Sequence, residues 1–431
     1  EALPQCRGLA KLNLANNRLG AVDHAQPLLE ALPRCLALTS LDISNNLLGD
    51  PGLQFLCASL PHCAALSRLY FSDESVTEEG SKVLCEALPN CRHLSRLDLG
   101  LNSIGVTGWR TLCAAFPNVP CLANLRINSH FHKFGVGGVR ALSEVLPGCT
   151  SLTCLDLGRN LLEGEGLRVL AAALPRCSAL SNLDVSDNRI TAQGAETFSR
   201  VVSCRNLATL NLAYNQLGSS GAFSLSLALA SFSSLTSLDI HANGIKESGA
   251  QWICEVLSHL DALSNLNMSA NSIRDNGAAF VSQALPLCPV LSTLNLRDNG
   301  IGDHGTEYLA GALPRCSRLF TLDLSVNCIE ARGAQALSQA LPQCPLLSKL
   351  ELRSAYPTSC PMSHPHTSHT RHTSHATSLH LLPNHDGQQT NSVTTARLCS
   401  KRRWFAARPS LCDYDPLDHG RTHGVVKLDL A

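Results

Sequence analysis

Along its first 352 residues the chain repeats one hydrophobic phrase, Leu-x-x-Leu-x-Leu, thirteen times. In ten of these the phrase runs on into x-x-Asn-x-Ile/Leu, with only Ile, Val or Met standing in for Leu. The middle leucines are Leu12, Leu41, Leu69, Leu97, Leu125, Leu155, Leu183, Leu210, Leu238, Leu266, Leu294, Leu322 and Leu350, spaced 27–30 residues apart. A globular core has no reason to keep such a register. A solenoid does, because each turn must lay its apolar residues on those of the turn before.

Each turn has two halves. In Leu294-x-Leu296 apolar residues alternate with outward polar ones, the period of a strand. After Gly305, Leu309 and Leu313 fall four apart with Ala310 and Ala312 beside them, which predicts one buried helix face. Pro314 then stops that helix, as Pro33, Pro61, Pro89, Pro175, Pro286 and Pro342 stop theirs, because proline has no amide donor. Parallel strands stack about 4.8 Å apart and helices about 10 Å apart, so the helix side forms the longer arc. The expected fold is α/β: a right-handed horseshoe solenoid with a parallel sheet on its concave face and helices on its convex face.

Asn17, Asn46, Asn102, Asn160, Asn188, Asn215, Asn243, Asn271, Asn299 and Asn327 mark the place where strand becomes loop. A buried amide side chain carries two donors and an acceptor. These asparagines are therefore expected to satisfy loop backbone in their own turn and a neighbouring one, not to bind a ligand.

The turn of about 28 residues, the asparagine frame, the glycine before the helix and the Cys-x-x-Leu joining helix to strand together resemble the ribonuclease-inhibitor type of leucine-rich repeat, over residues 1–354. The resemblance implies a horseshoe that binds another protein on its concave face, as in the ribonuclease inhibitor and the sensing end of NOD-like receptors. It also carries an alternative, a GTPase-activating protein of the Ran type.

Composition narrows the classes. With 34 basic and 34 acidic residues there is no global field to attract nucleic acid or membrane. No apolar run reaches the roughly 20 residues that span a bilayer. Most of the 20 cysteines recur at two repeat positions, one typified by Cys35, Cys63 and Cys91 and the other by Cys57, Cys85, Cys113 and Cys254. A cysteine recurring once per turn behaves as a small buried apolar residue, so reduced thiols and a cytoplasmic location are expected. The chain has no phosphate loop, no nucleophile elbow and no His-Glu-x-x-His. No catalytic residue, cofactor or metal site is expected, and the protein is read as not an enzyme. Residues 1–6 read as the end of a repeat helix, which suggests that earlier repeats, a cap or another domain precede Glu1.

The repeat breaks at residue 355. Residues 355–431 are expected to be disordered or non-native, with a His/Ser/Thr-rich stretch at 358–385 that lacks the apolar content to bury a core.

Candidate binding residues lie on the outward face of the strands. Their central column is mostly Asp or Asn and includes Asp98, Asp156, Asp184, Asp239 and Asp323, a possible acidic trough. The flanking columns are read as mostly Ser, Thr, Asn, Ala or Gly. Two turns break the frame. The third has Tyr70 in the column and Glu74 at the asparagine site. The fifth has Arg126 in the column, His130 at the asparagine site, and an enlarged loop with Phe131 and Lys133. Tyr and Arg are enriched at binding hot spots, so Tyr70, Arg126, His130, Phe131 and Lys133 are the preferred contacts for a protein partner.

Overall fold

The structure, a computed structural model, describes residue 6 and residues 8–20, 22–128, 134–201 and 206–353. By its internal contacts the chain divides into Glu1–Gly387 and Gln388–Ala431, and every described residue belongs to the first unit. The readings made for residues 355–431 lie outside the described residues.

Thirteen three-residue strands follow the predicted register: β1 (Lys11–Asn13), β2 (Ser40–Asp42), β3 (Arg68–Tyr70), β4 (Arg96–Asp98), β5 (Asn124–Arg126), β6 (Cys154–Asp156), β7 (Asn182–Asp184), β8 (Thr209–Asn211), β9 (Ser237–Asp239), β10 (Asn265–Asn267), β11 (Thr293–Asn295), β12 (Thr321–Asp323) and β13 (Lys349–Glu351). They form one parallel sheet in chain order. Each middle leucine pairs with the next, as Leu238 does with Leu266 and Leu266 with Leu294. From Leu41 onward these leucines are buried. An α-helix links each strand to the next, so the sheet lines the concave face of an open α/β horseshoe and the helices lie outside it.

The helices end in a different way from the one expected. Proline does not simply stop them. The chain tightens into a 3-10 turn with proline at its second position, as at Leu60–His62 and Leu313–Arg315. The following cysteine amide closes that turn, Cys316 N donating to Leu313 O at 3.0 Å. The carbonyl of the last helical residue thereby loses its i+4 amide and keeps only the i+3 amide of the 3-10 turn. The cysteine thiol adds a second donor to that carbonyl: Cys63 Sγ donates to Ser59 O at 3.3 Å, Cys288 Sγ to Ala284 O at 3.4 Å and Cys316 Sγ to Ala312 O at 3.3 Å. The column of cysteines is thus a column of helix caps as well as apolar filler. Cys328 belongs to neither cysteine column and corrects the expectation of thiols throughout, because it is disulfide-bonded.

The recurring glycine sits inside the first helical turn. A Cβ on Gly305 would come within 2.9 Å of the Asp275 backbone and 2.6 Å of Asp275 Oδ1. The close approach has a use. Asp275 Oδ1 accepts from Gly302 N at 2.7 Å and from Gly305 N at 3.0 Å, capping the helix of the next turn.

Candidate functional site

The asparagines form a hydrogen-bond ladder beneath the loops. Asn243 Nδ2 donates to Leu212 O in the preceding turn at 2.9 Å and to Ile240 O in its own at 3.0 Å. Its Oδ1 accepts from Leu217 N at 3.4 Å, and its own amide donates to Asn271 Oδ1 at 2.9 Å. Those from Asn46 to Asn299 are buried and face the loop backbone, as expected, while Asn17 is exposed and Asn327 half-buried at the ends of the ladder.

The ladder changes at the two frame-breaking turns. Glu74 is fully buried and replaces one amide oxygen with two, Oε1 accepting from Asn46 N and Oε2 from Leu48 N, each at 2.8 Å. Burial pushes its carboxyl up to about 7 against the pull of those two amides. In the sixth turn Asn160 donates to Ile127 O, but among the described residues its Oδ1 has no partner. His130, Phe131 and Lys133 of the enlarged loop lie outside the described residues.

On the concave face, the central column is tied to the strand ends. Asp156 Oδ1 accepts from Gly158 N at 2.9 Å, Asp184 Oδ1 from Ser186 N at 2.8 Å, Asp239 Oδ1 from His241 N at 3.0 Å and Asp323 Oδ1 from Ser325 N at 2.8 Å. Each is a short Asx loop closing its strand. Two second oxygens are also occupied, Asp184 Oδ2 by Asn211 Nδ2 at 2.7 Å and Asp239 Oδ2 by Asn267 Nδ2 at 3.0 Å. Recurrence of Asp and Asn in this column therefore has a structural cause. Asp98 is buried, and burial is the first cause raising its carboxyl above the usual range.

Tyr70, Asp98 and Arg126 are register partners on β3, β4 and β5. Arg126 spans its neighbours, with Nη1 3.5 Å from Asp98 Oδ2 and Nε 3.0 Å from Asp156 Oδ2. It opposes the rise that burial and the Asp184 charge impose on Asp156. The Tyr70 hydroxyl accepts from Arg96 Nη1 at 3.3 Å. The flanking columns are less uniform than the sequence reading holds. Just before the strands, hydroxyls form a second ladder, Ser67 Oγ donating to Thr39 O at 3.1 Å and Ser95 Oγ to Ser67 O at 3.0 Å. At the first strand position, Arg68 and Arg96 stand side by side in register. Their signal was present in the sequence, as two adjacent cations in a column that is neutral from Asn124 to Thr321 and otherwise charged only at its ends, Lys11 and Lys349.

A family model described as Leucine Rich repeat matches residues 35–57, 90–113, 148–171, 177–199, 203–226, 287–310 and 316–338, each covering the end of one turn and the start of the next. The chain is a leucine-rich repeat protein. No curated protein matches the sequence of this leucine-rich repeat protein. Among solved structures it is similar to an internalin from Listeria monocytogenes, at 21% identity over 79% of this chain and 86% of that one, with a TM-score of 0.45. It is similar to Rad7 in the yeast Rad7–Elc1 complex, at 18% identity over 80% of this chain and 86% of that one, with a TM-score of 0.47. It is also similar to TLR13 bound to ssRNA13, at 18% identity and a TM-score of 0.44, covering 83% of this chain but only 55% of that one. No helix among the described residues is long and apolar enough to cross a membrane.

Proposed function

We propose that this leucine-rich repeat protein is a cytoplasmic scaffold or sensor that binds another protein on its concave face, centred on the third to fifth turns. The supporting observation is the register that sets Tyr70 and Arg126 two strands apart in one column. Elsewhere that column is mostly Asp and Asn closing their own loops. Partners tell one patch from another by aromatic and arginine anchors, and here such anchors gather in neighbouring turns. His130, Phe131 and Lys133 join them by sequence position. The neutral balance of 34 basic and 34 acidic residues favours a protein over a nucleic acid.

The test is affinity capture from cytosol, followed by titration of the captured protein against variants. Tyr70→Ala and Phe131→Ala should each weaken binding by more than about 1 kcal/mol without moving the melting curve. A partner indifferent to both and lost on neutralising Asp184, Asp239 and Asp323 would move the site to the acidic run.

A further inference from the structure

We infer that Arg68 and Arg96 form a two-guanidinium clamp for a side-chain carboxylate on an acidic segment of the protein partner, an inference that rests on the concave-face reading above. Arg68 opens β3 and Arg96 opens β4, and the two are register partners about 4.8 Å apart along the sheet. Both project to the concave side, since Leu69 and Leu97 between them and the column residues are buried in the core. Like charges directly opposite on adjacent strands disfavour the sheet. From Asn124 to Thr321 the same column holds only neutral residues, so the fold itself does not call for a cation there.

The two side chains are held differently. Arg96 is half-buried, with Nη1 donating to the Tyr70 hydroxyl at 3.3 Å, which fixes one guanidinium plane. Arg68 is exposed, and among the described residues no carboxylate pairs with it. One oriented and one adjustable fork suit a carboxylate, whose two oxygens accept parallel N–H bonds. The next column makes the occupant a polypeptide. Asp42 and Asp98 flank Tyr70 in the column beside the arginines, and they would repel the continuous charge of a phosphodiester backbone. An acidic side chain set among neutral or basic ones meets both columns.

The test uses the full chain and three fluorescein-labelled probes in anisotropy titrations: a Gly/Ser peptide carrying two adjacent glutamates, the same peptide with glutamines, and a ten-residue oligothymidylate. The glutamate peptide should bind saturably, and the other two at least about tenfold more weakly. Arg68→Gln/Arg96→Gln should lower its affinity by about tenfold or more, Arg68→Lys by less, with unchanged melting curves. Absence of saturable binding by the glutamate peptide, equal binding of the glutamine peptide or equal binding by the double variant would overturn the clamp. Tighter binding of oligothymidylate would replace it with a nucleic-acid site. A captured partner that is lost on Tyr70→Ala yet indifferent to Arg68→Gln/Arg96→Gln would remove the clamp and leave the concave-face reading standing.

Discussion

The Asn46 amide lies 2.8 Å from Glu74 Oε1, in the place where every neighbouring step of the ladder offers an asparagine oxygen. Glu74 copies the acceptor half of that side chain and lacks its donor half. It also brings a titratable group into a site with no exposure.

Glu74 should make stability depend on pH. Its carboxyl is raised by burial to about 7 in the folded chain and returns to the ordinary glutamate value on unfolding. Between those values the folded state keeps a proton that the unfolded state has released. Stability from this group is therefore full at low pH and falls as pH rises toward about 7, then levels off. Glu74→Asn restores the amide and removes the titration. It should raise stability at pH 8 by roughly 1–3 kcal/mol and change it little near pH 4. Urea melts at several pH values decide this, and parallel profiles for the two proteins would refute it.

Arg126 has a structural as well as a binding role. It bridges Asp98 and Asp156, whose carboxyls burial already raises. Arg126→Ala should raise both further, so the folded state holds their protons to higher pH and the penalty grows as pH rises through that window. The arginine is about half exposed, which limits the loss at pH 8 to roughly 1 kcal/mol, with a smaller loss at pH 4, where Asp156 is protonated. Binding data on this variant need a stability measurement beside them. Equal destabilisation at both pH values would point to lost packing instead of lost charge.

The parts of the fold legible in the sequence are those that recur. Leu238 and Asn243 announce their places because a misplaced leucine or amide in any turn would unstack its neighbours. The Asp column was legible in position but not in role. Asp184 reads as surface charge until Ser186 N is seen on its Oδ1, although an Asp followed two residues on by a free amide is itself a turn signal. The thiol caps were hidden for a different reason. The carbonyl that Cys288 meets has lost its i+4 amide because the helix end tightens at proline, a consequence of backbone geometry that residue identity alone does not reveal. Arg68 and Arg96 were missed by averaging a column whose exceptions carry the information.

Asn243→Ala and Leu238→Ala test the two repeated interactions separately. The first removes donors to Leu212 O, Ile240 O and His241 O and the acceptor for Leu217 N. It should cost about 1–3 kcal/mol, since those groups lie where water does not reach. The second opens a cavity at a fully packed position and should cost about 2–5 kcal/mol. Denaturant melts of the full chain measure both, and a loss below about 0.5 kcal/mol for Asn243→Ala would mean that the ladder contributes nothing beyond a surface contact.

Whether the recurring cysteine acts as apolar filler or as a hydrogen-bond donor can be decided at Cys316. Its Sγ lies 3.3 Å from Ala312 O, a carbonyl whose i+4 amide is diverted into the Leu313–Arg315 turn. Burial, the first of its causes, pushes this thiol up to about 11, so it stays protonated and able to donate at neutral pH. If filling space is its role, Cys316→Ala should be milder than Cys316→Ser, because a hydroxyl is the costlier group to bury. If donation is its role, the order reverses. Serine keeps an O–H aimed at the same carbonyl, while alanine removes that hydrogen bond at a cost of about 1 kcal/mol. The geometry of the cap predicts the second order, with Cys316→Ser the more stable variant in thermal melts under reducing conditions. The same order should appear at Cys288, whose Sγ meets Ala284 O at 3.4 Å. Alanine outranking serine at both positions would return the column to apolar packing alone.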